Sequence, residues 1–108
     1  MDTEAKRLYE MKAEIIQAAG HPIRLAIIDF LEEGPQCVCD IAEHVQAERT
    51  NVSRHLAVMI KAGVLSVRRD GVKMIYSLRT PCILKFLGCV TEVLKERLTA
   101  NQAVLEIL

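Results

Sequence analysis

The 108-residue sequence has no tryptophan, and only two phenylalanines and two tyrosines. A core built on large rings is excluded, and a single aliphatic core is expected from a chain that is 51% hydrophobic. The length suits one domain, residues 1–108, and not two. No apolar run is long enough to span a bilayer. No leader peptide is visible, because the opening "MDTEAKRLYEMKAEII" is charged and has helical periodicity. Repeats, low-complexity tracts and an internal linker are also missing. These absences point to a cytoplasmic protein. In that compartment its four cysteines are expected as thiols rather than disulfides, open to metal or redox chemistry.

The formal net charge is zero, which alone argues against a nucleic-acid partner. The distribution argues the other way. Residues 1–48 carry a balance of −6, residues 49–79 one of +6, and residues 80–108 are neutral. Screening confines a charge's field to about 10 Å, so a basic middle third acts locally whatever the total.

Helical periodicity and punctuation divide the chain. The first helix is predicted over residues 3–19, with Thr3 as N-cap and Leu8, Met11, Ile15 and Ala18 on one face. Pro22 opens a second helix that runs to about Glu33 and buries Ile23, Ala26, Ile27, Phe30 and Leu31. In "QCVCDIAEHV", Asp40 and Glu43 have capping-box spacing, so a third helix is predicted from Ile41. Cys37 and Cys39 then lie in extended chain, where alternate side chains point the same way. After a turn at Gln46–Glu48, a fourth helix covers Arg49–Ala62, with Val52, Leu56, Met59 and Ile60 inward and Gly63 closing it. "VLSVRRDGVKMIYSL" alternates about Asp70-Gly71, a hairpin signal. A turn centred there pairs Arg68 with Lys73 and puts Leu65, Val67, Met74 and Tyr76 on the inner face. The last helix, about residues 81–98, has two adjacent apolar stripes, Ile83/Leu87/Val90/Leu94 and Cys82/Phe86/Cys89/Val93. One of them is surplus to a small core. Surplus faces on both terminal helices predict a homodimer built from residues 3–19 and 81–98. Residues 99–108 form a tail, either a short helix or a frayed end.

Two short helices, a tight turn and a basic hairpin make a winged helix-turn-helix, mainly α with a β-hairpin wing. The second helix of the pair presents Arg49, Thr50, Asn51, Ser53, Arg54 and His55, side chains suited to base edges and phosphates of double-stranded operator DNA. Arg68, Arg69 and Lys73 on the hairpin would reach the backbone or flanking minor groove. His21, His44 and His55 are otherwise read as surface or capping residues. No catalytic constellation is expected. A thiol oxidoreductase working through Cys-Val-Cys would leave the basic hairpin unexplained. A metal-carrying module without DNA binding is the other reading of a different class.

The segments "HPIRLAIIDFLEEG", "CVCDIAEHV", "TNVSRHLAVMIKAGVL" and "VRRDGVKMIYSL" resemble the ArsR/SmtB family of metal-responsive winged-helix repressors over about residues 15–98. The resemblance implies a homodimeric transcriptional repressor that leaves DNA when an inducer binds. "CVCD" matches the family's thiolate site, which implies Cys37 and Cys39 as ligands. It implies trivalent arsenic or antimony first, with cadmium, lead or zinc as further candidates, and no intrinsic cofactor. Some arsenite repressors carry a third cysteine where this chain has Ala42, so Cys89 or Cys82 is the candidate third ligand. The last-helix zinc positions hold Thr80, Cys82, Val93 and Glu96, which do not suit zinc. The alternative is a redox- or polysulfide-sensing repressor that links Cys37 or Cys39 to a last-helix cysteine. In the metal reading, the ion pulls on the helix start and shifts the DNA-reading helix.

Overall fold

The computed structural model describes residues 1–98 and 102–108. Helix α1 covers Thr3–Ala19. Its N-cap is Asp2 rather than Thr3: the Asp2 carboxylate accepts the Ala5 amide N–H at 2.7 Å. A carboxylate there also meets the positive end of the helix. Helix α2 covers Pro22–Leu31, two residues shorter than the sequence suggested. Pro22 stands at its first turn, where no amide donor is needed. His21 caps it, with Nδ1 accepting the Ile23 amide at 3.1 Å.

The next segment differs from expectation. Gln36–Cys37 is a short strand, β1. Helix α3 then covers Val38–Val45, with Cys37 itself at the N-cap. Asp40 is therefore not a cap; it lies in the first turn, as does Cys39. The helix begins three residues early because β1 pairs antiparallel with a distant strand, which fixes Cys37 as the last extended residue. No local spacing rule carries that pairing.

A tight turn joins α3 to α4, Arg49–Lys61. Gln46 adopts a left-handed φ of 56°. Its amide bonds the Glu43 carbonyl at 3.3 Å, and the Ala47 amide bonds the Ala42 carbonyl at 3.1 Å. This is a Schellman ending. The same pattern ends α4: Gly63 has φ +87°, and the Val64 amide reaches the Met59 carbonyl at 3.0 Å.

Strands β2, Leu65–Asp70, and β3, Lys73–Leu78, form the hairpin, and the sheet order is β1-β3-β2. The register is shifted from the expected one. Asp70 pairs with Lys73, Arg69 with Met74 and Arg68 with Ile75. The two loop residues are Gly71 and Val72, with positive φ (64°) at Gly71. A type II′ turn asks positive φ of its first central residue alone; a turn centred on Asp70-Gly71 would force Asp70 into that region too. The shift is two residues, so the expected inner face is kept. The like-charge opposition of Arg68 and Lys73 disappears, and Lys73 faces Asp70 instead.

Helix α5 covers Ile83–Arg97 and α6 covers Gln102–Leu105. Residues 99–101 of the tail lie outside the described residues. The core gathers Ala18, Ile27, Ile28, Leu31, Ile41, Val52, Leu56, Met59, Val64, Leu65 and Ile83. Ile28, fully buried, was not among the expected inward positions. The terminal helices bury only part of their stripes, Ala18 on α1 and Ile83 on α5: Leu8 (51% exposed), Met11 and Ile15 on α1, and Phe86, Val90 and Val93 (57%) on α5, face outward. The two faces adjoin at an apolar cleft of about 240 Å³ lined by Ile15, Ile16, Ile83 and Phe86 among others. Among the described residues, no helix is long and apolar enough to cross a membrane.

Candidate nucleic-acid interface and thiol site

Helix α4 is anchored by Val52, Leu56 and Met59, which are all fully buried. That anchoring turns Arg49, Thr50, Asn51, Ser53 and Arg54 to solvent. The cap residue, Glu48, makes no side-chain cap hydrogen bond, so the first-turn amides have no acceptor from that side chain.

His55 departs from this exposed set. It is partly buried, and its Nδ1 accepts a hydrogen bond from Arg24 Nε at 3.1 Å. Its ring lies 4.4 Å from that of His21, and Arg24 also donates to the Gln17 carbonyl at 3.1 Å. Burial pushes the His55 pKa below its ordinary value, and the neighbouring His21 and Arg24 charges push the same way. His55 therefore locks α4 to α2. His44 is exposed but stacked on Phe30, with ring centroids 4.1 Å apart.

On the wing, Arg68, Arg69 and Lys73 are all exposed. The register puts Arg68, Asp70 and Lys73 on one face and Arg69 on the other. An exposed ion pair links Arg68 to Asp70 at 3.9 Å. The other end of the hairpin is tied to the end of α4: the Arg79 amide donates to the Val64 carbonyl, and the Thr80 hydroxyl to the Gly63 carbonyl at 2.9 Å.

The thiols converge, for a reason other than the expected one. Cys37 is extended and buried (4% exposed), and Cys39 is helical and partly buried. Helical side chains lean toward the N-terminus, so the Cys39 side chain tilts back toward the cap. One ligand atom from each of Cys37, Cys39 and exposed Asp40 lies within 4.8 Å of the other two. The Cys37 thiol pKa is raised, first by the Cys39 thiol beside it; the Asp40 amide opposes this, while burial and the Asp40 carboxylate add to it. Cys82 and Cys89 are exposed on or beside α5 and do not join the group. Asp40 was not expected beside the thiols, because its spacing to Glu43 suited a cap. The Arg24–His55 contact bridges 31 residues and leaves no local signal.

A sequence model described as "Bacterial regulatory protein, arsR family" matches residues 21–67. The chain is 39% identical over 106 residues to the HTH-type transcriptional regulator Rv0081 of Mycobacterium tuberculosis, covering 97% of this chain and 93% of that one. It superposes on the crystal structure of Rv0081 with a TM-score of 0.75 at 38% identity, over 85% of this chain and 93% of that one. It is 31% identical over 70 residues to the arsenical resistance operon repressor of Staphylococcus xylosus, covering 65% of this chain and 67% of that one. The homodimeric winged helix-turn-helix DNA-binding domain Mb0332 of Mycobacterium bovis shares the fold, with a TM-score of 0.78 at 24% identity over 94% of each chain. This chain belongs to the arsR family of bacterial transcriptional regulators.

Proposed function

We propose that the protein is a homodimeric repressor that holds operator DNA through α4 and the wing, and releases it when a thiophilic metal or metalloid ion binds Cys37 and Cys39. For DNA, the support is the exposed set Arg49, Thr50, Asn51, Ser53 and Arg54 on a helix anchored from behind, flanked by Arg68, Arg69 and Lys73. The first-turn amides of α4 suit phosphate oxygens. For the dimer, the support is the adjoining apolar surface of α1 and α5. A two-fold partner would space the two α4 helices for half-sites about 34 Å apart.

One observation carries the sensing reading. Cys37 is both the N-cap of α3 and the partner of Ile75 in β3. An ion that draws Cys37 and Cys39 onto its own bond lengths acts in two directions at once. It acts on the start of α3, which packs against α4, and on the ladder that leads into the wing. Both DNA-contacting elements are thus one step from the thiols. Coupling of about 1–3 kcal/mol, or about 5–150-fold in affinity, is ordinary for such a switch.

The experiment is a titration of arsenite, antimonite, cadmium, lead and zinc into the protein–DNA complex, followed by mobility shift. At least one ion releases DNA from the wild type, while Cys37→Ser and Cys39→Ser keep DNA affinity and lose the response. Release that persists in both variants defeats the reading.

A further inference from the structure

We infer that Asp40 is the third donor of the thiol site, which suits that site to a divalent, borderline-soft cation, Zn²⁺ or Cd²⁺, over trivalent arsenic. The inference rests on the ion-sensing reading of Cys37 and Cys39 and names the class of ion. It begins from what stands next to the two sulfurs. The third atom within 4.8 Å is a carboxylate oxygen. Ala42, where a third thiol would complete an all-sulfur set, is a buried methyl in the core. Among the described residues, no cation pairs with Asp40.

The geometry needs little change. A zinc–sulfur bond of about 2.3 Å at a tetrahedral angle puts two sulfurs about 3.8 Å apart. Donors within 4.8 Å of one another close to that spacing by movements of about 1 Å or less. Side-chain rotation supplies this without unfolding α3. Asp40 also lines a cleft of about 360 Å³ with Phe30, Gln36, Glu43 and His44, so solvent reaches the carboxylate side of the group, from which a water could complete the coordination.

The chemistry of the donors then selects the ion. Zinc accepts mixed thiolate and carboxylate ligands. A divalent ion displaces two thiol protons and takes the carboxylate as it stands, giving a complex of charge −1. That charge sits at the positive end of α3, an eight-residue helix, which offsets it. Arsenite reacts by exchange: two thiols replace two hydroxyls, two waters leave, and one hydroxyl stays on a neutral product. A carboxylate gains little by replacing that hydroxyl. Asp40 therefore adds affinity for the dication and almost none for the metalloid.

The test uses the full chain without DNA. Cd²⁺ binding is followed by the ultraviolet thiolate-to-cadmium band, Zn²⁺ by competition with a chromophoric chelator, and arsenite by equilibrium dialysis. The variants are Asp40→Asn, at an exposed position where the fold tolerates it, and the double variant Cys82→Ala/Cys89→Ala. Loss of a supporting group alone weakens a metal site by about 10–100-fold, so Asp40→Asn weakens Cd²⁺ and Zn²⁺ by at least about tenfold. Arsenite retention stays within about twofold in Asp40→Asn, because the predicted arsenite complex needs no carboxylate, and the double cysteine variant leaves all three affinities unchanged. Unchanged Cd²⁺ and Zn²⁺ affinity in Asp40→Asn, or a loss in the double cysteine variant, overturns the assignment of Asp40 while leaving the thiol site standing. A wild type with no thiolate-to-cadmium band and no arsenite retention removes the thiol site itself.

Discussion

Replacing Arg68 and Lys73 together by alanine tests whether the wing meets DNA. Both side chains are exposed and share one face of the hairpin. Among the described residues the charge that pairs with them there is Asp70, so the isolated protein loses little by the change, since exposed ion pairs contribute little to stability. In a two-fold dimer the change removes four cations from the proposed DNA face. Each neutralised phosphate contributes about 0.9 to the slope of log affinity against log salt, so the slope becomes shallower by about 3.6. Raising salt from about 50 to about 200 mM then costs the variant about 150-fold less affinity than it costs the wild type. The assay is fluorescence anisotropy at several salt concentrations, on a duplex selected from a random pool by the wild type. An unchanged slope would show that this face of the wing does not lie on the phosphates.

The remaining predictions concern the frame that positions these groups. Gly63→Ala forces a Cβ into left-handed backbone at the end of α4 and costs about 1–2 kcal/mol in urea unfolding. Gln46→Gly relieves the same conformation at the end of α3 and gains up to about 1 kcal/mol; a loss of stability there would show that the Gln46 side chain supports the turn. His55, whose pKa is lowered in the fold, stabilises as the neutral acceptor of Arg24. That contribution is complete above the unfolded value of about 6.5 and is lost as pH falls through the lower folded value. Melting temperature therefore falls as the pH drops below about 6.5, and His55→Gln, which keeps an acceptor that does not titrate, flattens that fall. Identical acid profiles for the two proteins would remove His55 as the cause.

Much of this architecture could be read from local pattern. The buried faces of α2 and α4 repeat at helical spacing, and Pro22 and Gly63 mark a start and a stop that the backbone obeys. The hairpin was recognisable, but not its register. Asp-Gly-Val-Lys allows a turn centred on either side of Gly71, and only the cost of left-handed backbone at Asp70 separates the two. Because the alternatives differ by two residues, Leu65, Val67, Met74 and Tyr76 share a face in both. What stayed illegible is long-range. The β1–β3 pairing moves the start of α3 from Ile41 to Val38 and turns Asp40 from an expected cap into a neighbour of the thiols. The grip of Arg24 on His55 engages the Nδ1 of a residue that was expected to face DNA. Both depend on contacts between segments that no single window of sequence contains.

Linkage gives the most direct test of the switch. If an ion at Cys37 and Cys39 weakens DNA binding by some factor, DNA must weaken ion binding by the same factor. Ion affinity is measured for the free protein and for the DNA-saturated protein, and DNA affinity with and without saturating ion. The account predicts two equal ratios, each between about 5 and 150, that collapse to unity in Cys37→Ser. Equal ion affinity with and without DNA would contradict it, even if the ion binds tightly.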